Sequence, residues 1–409
     1  MQAHDHALID VDAALQVLLQ AAHPLRHVDS VDTLGALGRV LAAEVRSPID
    51  VPPAANTQMD GYAVRSADVT SFPTRLRVSQ RIAAGRLGQP LQPGEAARIF
   101  TGAFMPDGAD AVVMQEQCVA DGDTVTLQHA PKPGEWVRPR GCDVQAGSVV
   151  LERGHRLRPQ DLGQAASVGA ATLQVAPRPR VALLSTGDEL IMPGEPLPPG
   201  AIYNSNRFLL SALLQGLGCA VTDFGQVSDR LDATQDALRL AAAEHDLILT
   251  SGGVSVGGED HVKPAVQASG QLTLWQIAMK PGKPLAFGGV RRPSGGSAHF
   301  IGLPGNPVSS FVTFLLFVRP FLLALQGAKQ LAPRGLSLPS ASAWPRADKR
   351  REFLRARLDA DGQVALYPNQ NSAVLTSTVW GDGLVDNPAG MTFKVGDPVR
   401  FIPFAELLL

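Results

Sequence analysis

The sequence predicts a multidomain chain of the α/β plus β class: a doubly wound α/β domain, a β-rich insert ahead of it and a small C-terminal β-barrel. Three observations predict this. Between residues 181 and 326, apolar strand patterns alternate with helical ones, the signature of a parallel sheet wrapped by helices. Residues 47–146 carry short apolar runs separated by Pro and Gly. The length of 409 residues exceeds what one hydrophobic core sustains.

Taken in order, residues 7–45 show helical spacing: Leu15, Leu18 and Leu19 share a face, as do Leu34, Leu37 and Leu41. From Ser47 to about Gly147, runs such as ARIFTGA and ADAVVMQEQCV read as strands of an insert. PQDLGQAASVGA (159–170) reads as a helix with Pro159 in its first turn. There follow VALLSTG (181–187), NRFLLSALLQGLG (206–218), AVTDFGQV (220–227), TQDALRLAAAEH (234–245) and LILTSGG (247–253), closed by a helix over 306–326. Pro- and Gly-punctuated strands such as VALYP and TFKVGDPVRFIPF then predict the barrel. The expected units are 1–46 with 147–177, 47–146, 178–327 and 328–409.

A formal charge of −2 and an isoelectric point near 6.5 supply no field for nucleic acid or an acidic membrane. Cys118, Cys142 and Cys219 show neither paired metal spacing nor a disulfide framework. MQAHDHALIDVDAAL has no basic n-region followed by an apolar one, and FVTFLLFVRPFLLAL (311–325) is interrupted by Arg319 and Pro320. These features predict a reduced, cytoplasmic protein.

Chemistry concentrates where strands run into loops, since open parallel sheets bind ligands beyond their carboxyl ends. VALLSTGDEL delivers Ser185, Thr186, Gly187, Asp188 and Glu189. LILTSGGVSVGGED delivers Ser251, Gly252, Gly253, Ser255, Gly257 and Asp260. HFIGLPGNPVSS delivers Gly302, Pro304, Gly305, Asn306 and Ser309 ahead of a helix. Glycines let backbone amides approach an anion, and a helix N-terminus adds positive potential, so these loops are read as phosphate-binding. One such loop alone is ordinary βα geometry; three in one domain are not. MKPGKPLAFG (279–288) presents Lys280 and Lys283 on a proline-stiffened extended turn suited to an anion. Asp60, Glu189, Asp229 and Asp260 sit beside glycines or after strands, and hard carboxylate ligands of this kind suit Mg²⁺. Asp229 reads equally as a helix cap.

Six motifs, NTQMDGYAV (56–64), RIFTGAFMPDGADAVV (98–113), STGDEL (185–190), TSGGVSVGGED (250–260), MKPGKPLAF (279–287) and GLPGNPVSS (302–310), together resemble the molybdopterin molybdenumtransferase family, related to the gephyrin E domain. The resemblance runs through nearly the whole chain in order and spacing. It implies an elongated homodimer of four-domain subunits, with the 1–46 and 147–177 unit as helical linker and dimerisation element. It also implies a molybdopterin-binding-like α/β domain and an active site at the subunit interface. The implied reaction inserts molybdate into adenylylated molybdopterin, with Mg²⁺-dependent release of AMP. The molybdopterin adenylyltransferase and molybdoenzyme chaperones are the implied further partners.

Carried over by motif, the functional positions are Asp60, Thr101, Glu189, Asp229, Asp260, Lys280, Arg355 and Ser372. Glu189, Asp229 and Asp260 are then the Mg²⁺ ligands. Lys280, Lys283, Arg355 and Ser372 surround a tetrahedral oxyanion, molybdate or the equally sized tungstate. Asp60 and Thr101 approach from the other subunit. Two departures stand out. Gln276 occupies a position where family members can carry lysine, so one cation of the anion site is missing or is supplied by Lys283. PNQNS (368–372) replaces GHQGS, with Asn371 in place of glycine. Arg351 competes with Arg355 for the oxyanion. A molybdopterin adenylyltransferase would use the α/β domain alone and leave residues 47–146 and 327–409 without a task. A gephyrin-like scaffold would not need the four acidic positions and Lys280.

Overall fold

The computed structural model describes residues 8–253 and 261–408. At its centre is a six-stranded sheet in the order 220–227, 180–186, 247–251, 297–303, 284–291, 270–276. The first four strands pair in parallel. The last two turn antiparallel, with Gly270–Gln276 at the edge. The doubly wound reading therefore holds for four strands, and an antiparallel hairpin completes the sheet. Leu247–Ser251 is buried at every residue, as a strand covered on both faces must be.

One face is covered by Leu231–Glu244 and Val262–Ser269, which enclose Leu184, Leu238, Ile248, Val266 and Phe300. The other carries Ser205–Gly216 and the continuous helical stretch 307–325, around Leu214, Leu249, Phe317 and Phe321. That stretch reaches the length and apolar character of a membrane span, yet 89% of it is buried in the core. Its middle, Phe314–Val318, widens into a π-turn just before Pro320, whose ring nitrogen has no proton to donate to the preceding turn.

Helix Val11–Ala21 forms as expected, with Asp10 accepting from Asp12 N at 2.9 Å as its cap. It packs Val11, Ala14 and Leu18 into the α/β core. The second helix expected from Leu34, Leu37 and Leu41 does not form. Asp29–Asp32 is a strand, Thr33–Gly35 a single 3₁₀ turn, and Leu34 and Leu37 face solvent while Leu41 is buried. Gly35 and Gly38 interrupt the pattern, and Gly38 sits at φ +74°, outside the helical region. Leu41 instead joins Leu151, Leu157, Ala165 and Val175 in a separate small core with helix Pro159–Ser167.

Between those segments lies a second six-stranded sheet, ordered 111–114, 61–64, 95–99, 74–82, 124–127, 118–121. The third sheet joins 336–339, 398–403, 383–387 and 351–358, with 364–366 on the flank of 351–358. Its free ends meet at one bridge, Ser340 to Val364. The expected C-terminal barrel is thus a curled half-barrel, short of the continuous ladder that closure requires. Met279–Lys280, from the α/β unit, adds to this sheet by pairing in parallel with Arg351 and Glu352. Phe404 and Leu407 at the chain's end enter the α/β core, so the two units share packing as well as a strand.

Candidate functional site

The seam between the α/β unit and the half-barrel opens into a cavity of about 700 Å³. Each wall follows from local geometry. Strand Arg180–Thr186 ends at Gly187, whose φ is +129°, and a Cβ there would lie 2.5 Å from Glu189 Oε2. Only glycine lets the Glu189 carboxylate fold back over this turn. Asp229 faces it across the loop end, where Asp188 N donates to Asp229 Oδ2 and Asp229 N to Asp188 Oδ1, both at 3.3 Å. The second loop begins with Gly252 and Gly253 at φ +88° and +69°. A Cβ on Gly253 would approach Val262 Cγ2 to 2.4 Å, so the following helix can seat only against glycine.

Thr186, Gly187, Glu189, Asp229, Gly252 and Gly253 line one wall, and Pro304 and Asn306 of the third loop close it. Ser185 and Ser251 lie beneath as buried supports, outside the lining. Ser255, Gly257 and Asp260 lie outside the described residues. One residue that sequence reasoning missed holds two of the loops together: Asn206 Nδ2 donates to Ser251 Oγ at 2.7 Å and to Gly305 O at 2.8 Å. Its only signal in the sequence is the Asn-Ser-Asn step that opens a helix.

The opposite wall is cationic. Lys280 and Lys283 both line it, joined by Arg350. Ser372 enters on the loop 368–372, and its carbonyl accepts from Val308 N at 3.1 Å. Asn371, in the place of a family glycine, needs no left-handed backbone, because among the described residues Trp136 is the one non-glycine with positive φ. The Asn371 side chain accepts from Ala373 N at 2.9 Å and closes the turn itself. Gln276 is not among the lining residues.

Arg355 lies deeper. It sits at 0% exposure in strand Arg351–Leu358, which is buried from Glu352 through Ala356, and does not line the cavity. Its Nε donates to Ser377 Oγ and its Nη1 to Phe353 O, and burial pushes the guanidinium down to about 10. Arg351 is engaged too, with Asp386 at 2.6 and 2.7 Å and Asp12 at 3.0 Å. Arg350, one residue ahead of the strand and outside its ladder, is the arginine that reaches the cavity. Arg355 keeps one buried guanidinium nitrogen, Nη2, without a hydrogen-bond partner, and the burial of its strand is set by tertiary packing that REFLRA does not show.

Asp60 and Thr101 lie on the insert and do not line this cavity. They are bonded to each other: Thr101 N and Oγ1 donate to Asp60 Oδ1 at 2.7 and 2.8 Å. These two donors hold the Asp60 carboxyl below its ordinary value. Beside them, the guanidinium groups of Arg81 and Arg98 each lie over the Phe100 ring, 4.6 Å from its centre.

Among the described residues no three His, Cys, Asp or Glu side chains form a ready metal cluster. Glu189 and Asp229 nevertheless suit Mg²⁺, which takes one or two carboxylates and completes its shell with phosphate and water. The turn in which Gly187 makes room for the Glu189 carboxylate is the structural sign of that fit.

An α/β sheet with glycine turns at its strand ends, and a cavity at the seam lined by both carboxylates and cations, has the chemistry suited to an anionic ligand. Three family regions match in sequence: the N-terminal region of MoeA (domain I and II) over 9–169, a probable molybdopterin binding domain over 182–324, and the C-terminal region of MoeA (domain IV) over 337–404. Molybdopterin molybdenumtransferase of Haemophilus influenzae is 42% identical over 410 residues, spanning 98% of this chain and 100% of the relative. That of a Nostoc species is 38% identical over 89% and 85%. The molybdopterin biosynthesis MoeA protein of Pyrococcus horikoshii superposes with a TM-score of 0.84 at 27% identity, over 97% of this chain and 100% of that one. The chain belongs to the molybdopterin molybdenumtransferase family.

Proposed function

We propose that this protein is a molybdopterin molybdenumtransferase, which inserts molybdate into adenylylated molybdopterin and releases AMP. The observation that carries this reading is the polarity of the cavity: carboxylates on the loops of the α/β unit share its lining with Lys280, Lys283 and Arg350. A substrate with both a phosphoanhydride and a dithiolene that must meet an oxyanion needs two such unlike walls.

In this reading the amides of Gly252 and Gly253 and the start of the helix after Asn306 hold the phosphates, with Thr186 beneath them. Lys280, Arg350 and Ser372 capture the tetrahedral dianion through two charge-assisted donors and a hydroxyl, and Lys283 adds a third cation. Glu189 and Asp229, with Asp260 as third ligand, would hold Mg²⁺, which when bound offsets charge on the phosphoanhydride. The remaining work is positional: the seam, built from a lent strand and shared packing, sets the separation of the two walls.

Asp60 and Thr101 act, in the same proposal, on the cavity of a second subunit in a homodimer. Their support is the pre-bonded pair on a sheet outside their own subunit's cavity, together with the family pattern. The molybdopterin adenylyltransferase would deliver the substrate, molybdoenzyme chaperones would collect the product, and the setting would be cytoplasmic.

The test is product analysis. Purified protein, Mg²⁺, molybdate and adenylylated molybdopterin should give AMP and active cofactor, each dependent on molybdate. Adenylylation of molybdopterin from ATP, without AMP release from the adenylylated form, would overturn the assignment.

A further inference from the structure

Two carboxylates stand behind the cationic wall without lining the cavity. Asp348 accepts from Arg350 Nε at 3.0 Å and Nη2 at 2.9 Å, and lies 3.7 Å from Lys280 Nζ. Glu352 is the deeper of the two, at 1% exposure. It accepts from Trp344 Nε1 at 2.7 Å, from Asn387 Nδ2 at 3.2 Å and from Lys280 Nζ at 3.3 Å. Lys280 belongs to the two-residue strand that the α/β unit lends to the half-barrel, whereas Trp344 and Asn387 belong to the half-barrel itself. Glu352 is therefore the point at which a cavity cation of one unit is gripped by the other.

We propose that Glu352 is a positioning residue for oxyanion capture: it fixes Lys280 Nζ beside Arg350, so that two cations from different units act as one edge. The proposal rests on the oxyanion reading given above. A lysine on a four-carbon stem has no preferred direction of its own, and 41% of the Lys280 side chain remains exposed. A buried ion pair is a poor device for holding two strands together, since well-packed apolar residues do that equally well. What it supplies here is direction. Asp348 does the same for Arg350 through both of its oxygens, so each cation has a carboxylate behind it and the cavity in front.

Tungstate binding to the full-length protein, measured by titration calorimetry, tests this on Glu352→Gln, Lys280→Ala and the double variant. Glu352→Gln should weaken tungstate about tenfold in the folded protein, equivalent to about 1.4 kcal/mol. Lys280→Ala should weaken it at least as much, because it removes a cation and leaves the Glu352 charge unbalanced next to the anion. Adding Glu352→Gln to Lys280→Ala should then tighten tungstate severalfold. This reversal of sign between backgrounds is a coupling that a merely structural role would not produce. Unchanged tungstate affinity in Glu352→Gln, or an equal loss in both backgrounds, overturns the proposal. Unchanged affinity in Lys280→Ala overturns the oxyanion reading itself, and this inference with it. Should Glu352→Gln fail to fold, Trp344→Phe decides: a loss of about threefold, roughly 0.7 kcal/mol, supports the assignment, and wild-type affinity refutes it.

Discussion

The two walls of the cavity are built differently. The carboxylate wall comes from turns that each follow one strand of one sheet, so that Thr186, Gly187 and Glu189 are neighbours in sequence and in space. The cationic wall is assembled across a seam: Lys280 and Lys283 from the α/β unit, Arg350 and Ser372 from the half-barrel. A wall made of local turns can be read from the chain directly. A wall made by docking two units depends on which face of a strand ends up inside, and the chain alone does not show that Arg350 is the arginine lining the cavity.

The largest effects should fall on the carboxylate wall. Glu189→Gln and Asp229→Asn are expected to lower AMP release about a hundredfold or more while substrate binding changes little, because charge compensation is realised in the transition state. Single-turnover rates set against equilibrium binding read this split. Collapse of binding with an unchanged rate of turnover would move these residues to recognition.

Next comes the contrast between the arginines. Arg350→Ala should raise the molybdate half-saturation about tenfold or more, for the loss of a charge-assisted donor worth about 1.5–3 kcal/mol, with folding intact. Arg355→Ala should instead destabilise the fold by about 3 kcal/mol, through the cavity it leaves and the loss of its bonds to Ser377 Oγ and Phe353 O, with molybdate affinity unaltered in the folded fraction. Urea unfolding and molybdate titration of both variants separate the two roles, and the reverse pattern would restore Arg355 to the site. A smaller change is expected at the exposed Lys283, where alanine should cost severalfold in the same half-saturation, about 1 kcal/mol or less.

Legibility followed the same division. The strand–helix alternation of 180–325 and the three loop motifs could be read from the chain because hydrophobic period and glycine placement are local properties. Leu34 and Leu37 misled because Gly35 and Gly38 break a helix whose apolar spacing is otherwise correct. The half-barrel's open ladder, the strand lent by Met279–Lys280 and the role of Asn206 were illegible, since each is set by partners distant in sequence. Asn371 departs from the family's glycine and is accommodated, because that turn requires no positive φ.

The smallest predicted effect concerns Asp60, set apart from both walls. Its carboxyl is held low first by the Thr101 amide and then by the Thr101 hydroxyl. A folded-state value below the unfolded one gives a stabilising contribution that is present above the ordinary carboxylate range and lost as pH falls through the lowered value. Thr101→Val removes the hydroxyl and keeps the amide, so the Asp60 titration followed by carboxyl NMR should rise part of the way to its ordinary value. No movement would assign the whole effect to the backbone.

The most direct test of the account compares one residue from each wall in a single assay: the molybdate dependence of AMP release by Lys280→Ala and Asp229→Asn. Lys280→Ala should shift the half-saturating molybdate about ten- to a hundredfold, roughly 1.4–2.7 kcal/mol, and approach wild-type turnover at high molybdate. Asp229→Asn should keep the wild-type half-saturation and lose turnover at every concentration. Two variants that change the same parameter, or a Lys280→Ala whose molybdate dependence matches wild type, would contradict a cavity divided into an oxyanion wall and a phosphate wall.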